Sequence, residues 1–105
     1  EAIVRTLAAL ADGLSGGDLL AVQRAFPALP GAEATRLGEF FAAGGRMKVR
    51  WRVQSVRSAK GGAVAQVVGS IVEIPASGPS SPRSVDAQVG LTQVKGQWKV
   101  RDFSF

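Results

Sequence analysis

Residues 46–53 read RMKVRWRV, with Met47, Val49, Trp51 and Val53 in one alternating set and Arg46, Lys48, Arg50 and Arg52 in the other. Side chains of an extended chain point to opposite sides with a period of two, so this stretch predicts a half-buried β-strand with an apolar side and a basic side. It also divides the chain. Residues 1–45 carry three cations against five anions and residues 46–105 carry ten against three, so the surplus behind the net charge of +5 lies in the C-terminal part.

Upstream, the spacing is helical. Ile3, Leu7, Leu10 and Leu14, widened by Val4, Ala8 and Ala11, predict an amphipathic helix over 2–14 that Gly16-Gly17 ends. Asp18 is placed to cap a short second helix carrying Leu19, Leu20, Val22 and Phe26, and Pro27 and Pro30 stop it. A third helix over 32–43 buries Leu37, Phe40 and Phe41 and ends at Gly44-Gly45.

Downstream, four strands follow over 46–58, 63–74, 84–94 and 97–105, with turns at Lys60-Gly61-Gly62 and Lys95-Gly96 and a flexible loop over 75–83. The second strand is apolar on both sides, which predicts that both are covered. In the first strand the apolar phase passes from 49, 51 and 53 to 56, and in the last Trp98 and Val100 give way to Phe103 and Phe105. Such shifts predict β-bulges in a curved antiparallel sheet. The fold class is therefore α+β, with three N-terminal helices packed on a curved four-stranded antiparallel sheet.

At 105 residues, 46% of them apolar, the chain reads as one globular domain with a single core. Because it opens on Glu1, we expect a processed chain or a piece of a longer one. No apolar run reaches the ~20 residues needed to span a bilayer as a helix. Cysteine, histidine and tyrosine are absent, which excludes disulfides, thiolate metal sites and Ser-His or Cys-His nucleophiles. No metal site and no cofactor is expected, and Gly16-Gly17 and Gly61-Gly62 lack the spacing of a phosphate loop. Carboxylates, Lys, Arg and backbone groups remain to carry chemistry.

The α-α-α-β-β-β-β order resembles the NTF2-like superfamily, also called SnoaL-like or cystatin-like. So do the first helix ending near SGGDL (15–19), the aromatic-bearing helix before the first long strand, and the closing GQWKVRDFSF (96–105). The chain is most similar to small divergent domains at the C-terminal ends of bacterial serine/threonine kinases and other envelope or signalling proteins. That resemblance implies a cone in which helices close over the sheet, a pocket at its wide end, and a homodimer through the outer sheet face. The family's short hairpin between the second and third helices is reduced here to PALPGAEA (27–34). The resemblance also implies a place in a larger protein, in the cytoplasm or on the outer side of the membrane.

On that basis the pocket candidates are Trp51, Phe26, Phe40, Phe41 and Gln88, each of which also reads as ordinary core or strand surface. Asp86 and Asp102 are the catalytic candidates, since a desolvated carboxylate can move a proton without histidine; the alternative for each is a solvated acid beside Lys or Arg. Trp98 reads as structural. Arg46, Lys48, Arg50 and Arg52 form a basic surface suited to solvent or a dimer rim. No exposed aromatic is interleaved with these charges to stack bases, which argues against nucleic acid. The leading expectation is a non-catalytic accessory domain that binds a small hydrophobic ligand or a peptide and self-associates. The alternatives are a SnoaL-like isomerase, cyclase or hydratase using a pocket carboxylate, and a purely structural dimerisation module.

Overall fold

The alternation that starts at Arg46 opens the first of four strands. The computed structural model, which describes residues 2–105, has helices α1 (Ala2–Ser15), α2 (Leu19–Ala25) and α3 (Gly31–Ala42). Strands β1 (Arg46–Ala59), β2 (Gly62–Ile74), β3 (Ser81–Val94) and β4 (Gln97–Asp102) then form one open antiparallel sheet in sequence order. The α+β class and the order of elements match the expectation.

Ile3, Leu7, Leu10 and Leu14 of α1 are buried, each contributing about 1.5–3 kcal/mol of apolar transfer. The stripe is narrower than expected, since Val4 and Ala8 are exposed. Asp18 caps α2 as expected, its Oδ1 accepting the Ala21 N–H at 3.1 Å. Leu20 corrects the reading of that helix. At 100° per residue it stands nearly opposite Val22, and it is 66% exposed. In α3 only Leu37 is fully buried, while Phe40 and Phe41 are half-buried.

Both phase shifts are register irregularities. Between β1 and β2 the pairing steps from Val53 to Ser55, leaving Gln54 over; between β3 and β4, Leu91 faces Val100 and Gly90 faces Asp102, leaving Arg101 over. Lys95 and Gly96 both have positive φ, at 52° and 79°, the conformation of a two-residue hairpin turn whose twist suits the flanking strands. The last strand is shorter than expected. Past Asp102 the chain leaves the sheet, and Phe103 is buried in the core.

One face of the sheet receives the helices. Ala65, Val67 and Ile71 of β2, Val85, Val89 and Leu91 of β3 and Val100 of β4 are buried with the helical residues in one cluster. The Thr6 hydroxyl ties α1 to β4 by donating to the Trp98 carbonyl at 3.0 Å. The expectation that both sides of β2 are covered is corrected by the other face. There Val64, Val68, Val72 and Ile74 are only half-buried. Val72 lies across from Lys48 and Val68 across from Arg52, so the cover they have includes the alkyl stems of those cations.

Strand β3 begins at Ser81 rather than 84, and so takes in Pro82. The Val49 N–H turns away from β2 to the Ser15 hydroxyl, so by alternation Lys48 and Val72 share ladder bonds and Val72 and Pro82 do not. The missing Pro82 N–H would have pointed beyond β3, where β4 pairs only from Gly90 to Val94. No ladder bond is lost, which is how a proline is accommodated in a strand.

Candidate functional site

Trp51 lies half-buried on the helix-facing side of the edge strand β1. Its indole N–H donates to the Leu7 carbonyl of α1 at 3.1 Å, and its ring lies 5.1 Å from Phe103 and 6.3 Å from Phe105. Phe105 in turn meets Phe103 edge-on at 5.2 Å and Phe26 at 6.3 Å. These tilted and edge-to-face contacts are the arrangements ring quadrupoles favour. Four aromatic side chains, two of them supplied by the segment after β4, thus pack together against the mainly aliphatic core.

The expected pocket residues are not brought together. Phe26 and Trp51 belong to this packed cluster. Phe40 and Phe41 form a separate pair, 5.9 Å between rings, with Phe41 beside Gly17, Gly44 and Gly45 in a depression away from the cluster. Gln88 is exposed and pairs with Gln66 on the outer face. The catalytic candidates are also outside. Asp86, across from Val68, accepts from Gln66 Nε2 at 2.6 Å. Asp102 accepts from the Gly90 N–H at 3.2 Å and meets Arg101 Nε at 3.2 Å, with its side chain two-thirds exposed. Both are solvated acids on strand surfaces.

A charged cluster that sequence reasoning missed lies beside the aromatic one. Glu73 receives Arg83 Nη1 at 2.6 Å and Arg36 Nη1 at 3.3 Å, and Arg36 Nε also meets Glu33 at 2.6 Å. Arg83 donates further to the Phe105 carbonyl, from Nε at 3.2 Å and Nη2 at 2.8 Å. The cluster therefore joins α3, β2, β3 and the terminal phenylalanines. Its one sequence signal is Glu73 itself, a lone charge in an otherwise uncharged β2.

Burial alone would push the Glu73 carboxyl up, but hydrogen bonds from Arg83 and Arg36 and their positive charge together hold it below the ordinary carboxylate range. A depressed folded-state value means the stabilisation is complete above the unfolded value, near pH ~4.3, and is lost as pH falls through the folded one. Urea midpoints should accordingly fall on acidification below about pH 4. Glu73→Gln should cost about 1–2 kcal/mol at neutral pH and flatten part of that acid dependence. An unchanged acid profile in the variant would remove Glu73 from this role.

Shallow depressions surround the packed interior. One of about 400 Å³ is lined by Leu29, Pro30, Phe103 and Phe105. A second, about 460 Å³, runs between α1 and β1. A third, about 550 Å³, lies along Arg46 to Arg50 beside Ile74 and Ser15. Arg46, Lys48, Arg50 and Arg52 are exposed on the outer side of β1, and among the described residues none of them forms an ion pair. No helix of the described residues is long and apolar enough to cross a membrane. No known protein-family model matches the chain, and no curated protein matches it significantly.

Proposed function

We propose that the chain is a non-catalytic accessory domain of NTF2-like architecture that self-associates through the outer face of its sheet. The observation that carries this reading is the strip of Val64, Val68, Val72 and Ile74, apolar and only half-covered on a face that no helix reaches. Three long strands with a rise of ~3.3 Å per residue and a spacing of ~4.8 Å present a face on the order of 40 by 15 Å, comparable with the ~800 Å² that each partner of a standard interface buries. A two-fold axis over β2 and β3 would set the basic row of each copy above the partner's β3–β4 side. Asp86 and Asp102 lie on that side of the face.

The packed, mainly aliphatic interior favours an interaction role over catalysis, because neither carboxylate candidate shares a desolvated space with room for a substrate. A small apolar ligand would instead use the depression at Leu29, Phe103 and Phe105. Sedimentation equilibrium should show a concentration-dependent dimer, and Val68→Lys, which puts a charge at the centre of the strip, should weaken it about tenfold or more. Only monomer at high concentration would overturn the reading.

A further inference from the structure

Strand β1 is an edge strand, paired with β2 on one side only. In an antiparallel ladder both backbone groups of a residue turn to the same side, and the side alternates along the strand. Val49 spends its outward N–H on the Ser15 hydroxyl at 3.2 Å. Trp51 and Val53, two and four residues on, therefore turn their N–H and C=O groups to the same open edge. Unpaired edge groups are a template for another extended chain.

The space beside that edge is shaped for such a chain. The depression of about 460 Å³ lies there, with Val4, Ala8 and Ala11 of α1 as one wall and Val49, Trp51 and Val53 of β1 as the other. The alanines leave room that longer helical side chains would fill. Arg50 and Arg52 border the groove from the outer side of the sheet, while Asp12 sits on the α1 side. The bulge at Gln54 breaks the pairing just beyond Val53 and limits the site to a short segment.

Charge decides the occupant. A second copy pairing edge to edge about a two-fold axis would bring the Arg50–Arg52 rows of the two copies side by side, and like charges in facing strand positions are destabilising. An extended segment with acidic side chains toward the outer face and small apolar ones toward α1 meets the opposite situation, and it keeps its carboxylates away from Asp12. The geometry points to a strand-addition site at the Val49–Val53 edge of β1 for an acidic, alternating peptide segment of a partner protein. This goes beyond self-association and uses the backbone edge of β1 rather than the apolar strip of β2.

The test uses a fluorescein-labelled peptide of repeating Glu-Val, with repeating Lys-Val and repeating Glu-Pro peptides as controls, read by anisotropy and by amide exchange of the labelled protein. Glu-Val should bind and slow exchange at the Trp51 and Val53 amides, with affinity falling as salt is added. Lys-Val should fail on charge and Glu-Pro on its missing N–H donors. The exposed double substitution R50E/R52E should weaken Glu-Val binding about tenfold or more and favour Lys-Val instead. Ala8→Trp, which fills the groove from an exposed helix position, should abolish binding, whereas Val68→Lys should leave it intact. No binding of Glu-Val, equal binding of Glu-Pro, or protection on Val64 and Val68 rather than at the edge would overturn the proposal. Binding of single-stranded RNA along the whole basic row in preference to the peptide would overturn it as well.

Discussion

Alanine at Gly69 should destabilise the protein by about 3 kcal/mol or more and lower its Tm by roughly 10–20 °C. Gly69 faces Trp51 across the β1–β2 ladder, and a Cβ built there would lie 2.1 Å from the Arg50 carbonyl oxygen and 2.4 Å from the Trp51 Cα. Both are backbone atoms. Relief therefore requires β1 to move off β2, which breaks ladder bonds and displaces Trp51 from the aromatic cluster. Gly31→Ala is the control, since a methyl at the start of α3 meets nothing within 4 Å and replaces a poor helix former. Urea unfolding of the two variants should separate them widely, and equal stabilities would contradict the close strand approach.

Trp51 itself should show a graded loss. Trp51→Phe keeps a ring against Phe103 and Phe105 but removes the donor to the Leu7 carbonyl, at a cost of about 1–2 kcal/mol. Trp51→Ala removes the ring as well and should cost about 3–5 kcal/mol, because the cavity opens in the middle of the cluster and its neighbours relax only in part. The effect should reach the segment after β4. Phe103 and Phe105 rest on Trp51, so their amides should exchange faster in Trp51→Ala than in Trp51→Phe, even though Arg83 still holds the Phe105 carbonyl. If the two variants were equally stable, the ring contacts would contribute nothing and the hydrogen bond would account for the whole effect.

The readings that held rest on local physics. The period of two in RMKVRWRV, the cap at Asp18 and the turn chemistry of Lys95-Gly96 each depend on a few neighbouring residues, and each appears where its chemistry placed it. The phase shifts in β1 and β4 were legible for the same reason, since an extra residue must reverse the alternation after it. Leu20 shows where this reasoning stops. Apolar character grouped it with Leu19, Val22 and Phe26, but only one side of α2 packs against α1 and β4.

The site was much less legible. Asp86 and Gln88 alternate with Val85, Ala87 and Val89, and that pattern says they share a face without saying which face the helices take. Packing put the valines inside, which leaves Asp86 bonded to Gln66 at the surface. Trp51, Phe26, Phe103 and Phe105 come from distant parts of the chain, and no spacing rule connects them. Nor does any rule connect Arg36, Glu73 and Arg83, since the bulge at Arg101 has to send the terminal phenylalanines inward before Arg83 can reach Phe105.

By itself the sequence determined the α+β class, the order of elements, the register-breaking residues and the basic side of β1, because periodicity, capping and turn preference act over a few residues. Only the tertiary structure decided that Trp51, Phe26, Phe103 and Phe105 meet against the aliphatic core, that Asp86 and Asp102 face solvent, and that β1 keeps an open edge beside α1. Those outcomes depend on which faces meet when helices and sheet pack together, and on how much volume the side chains fill once they do.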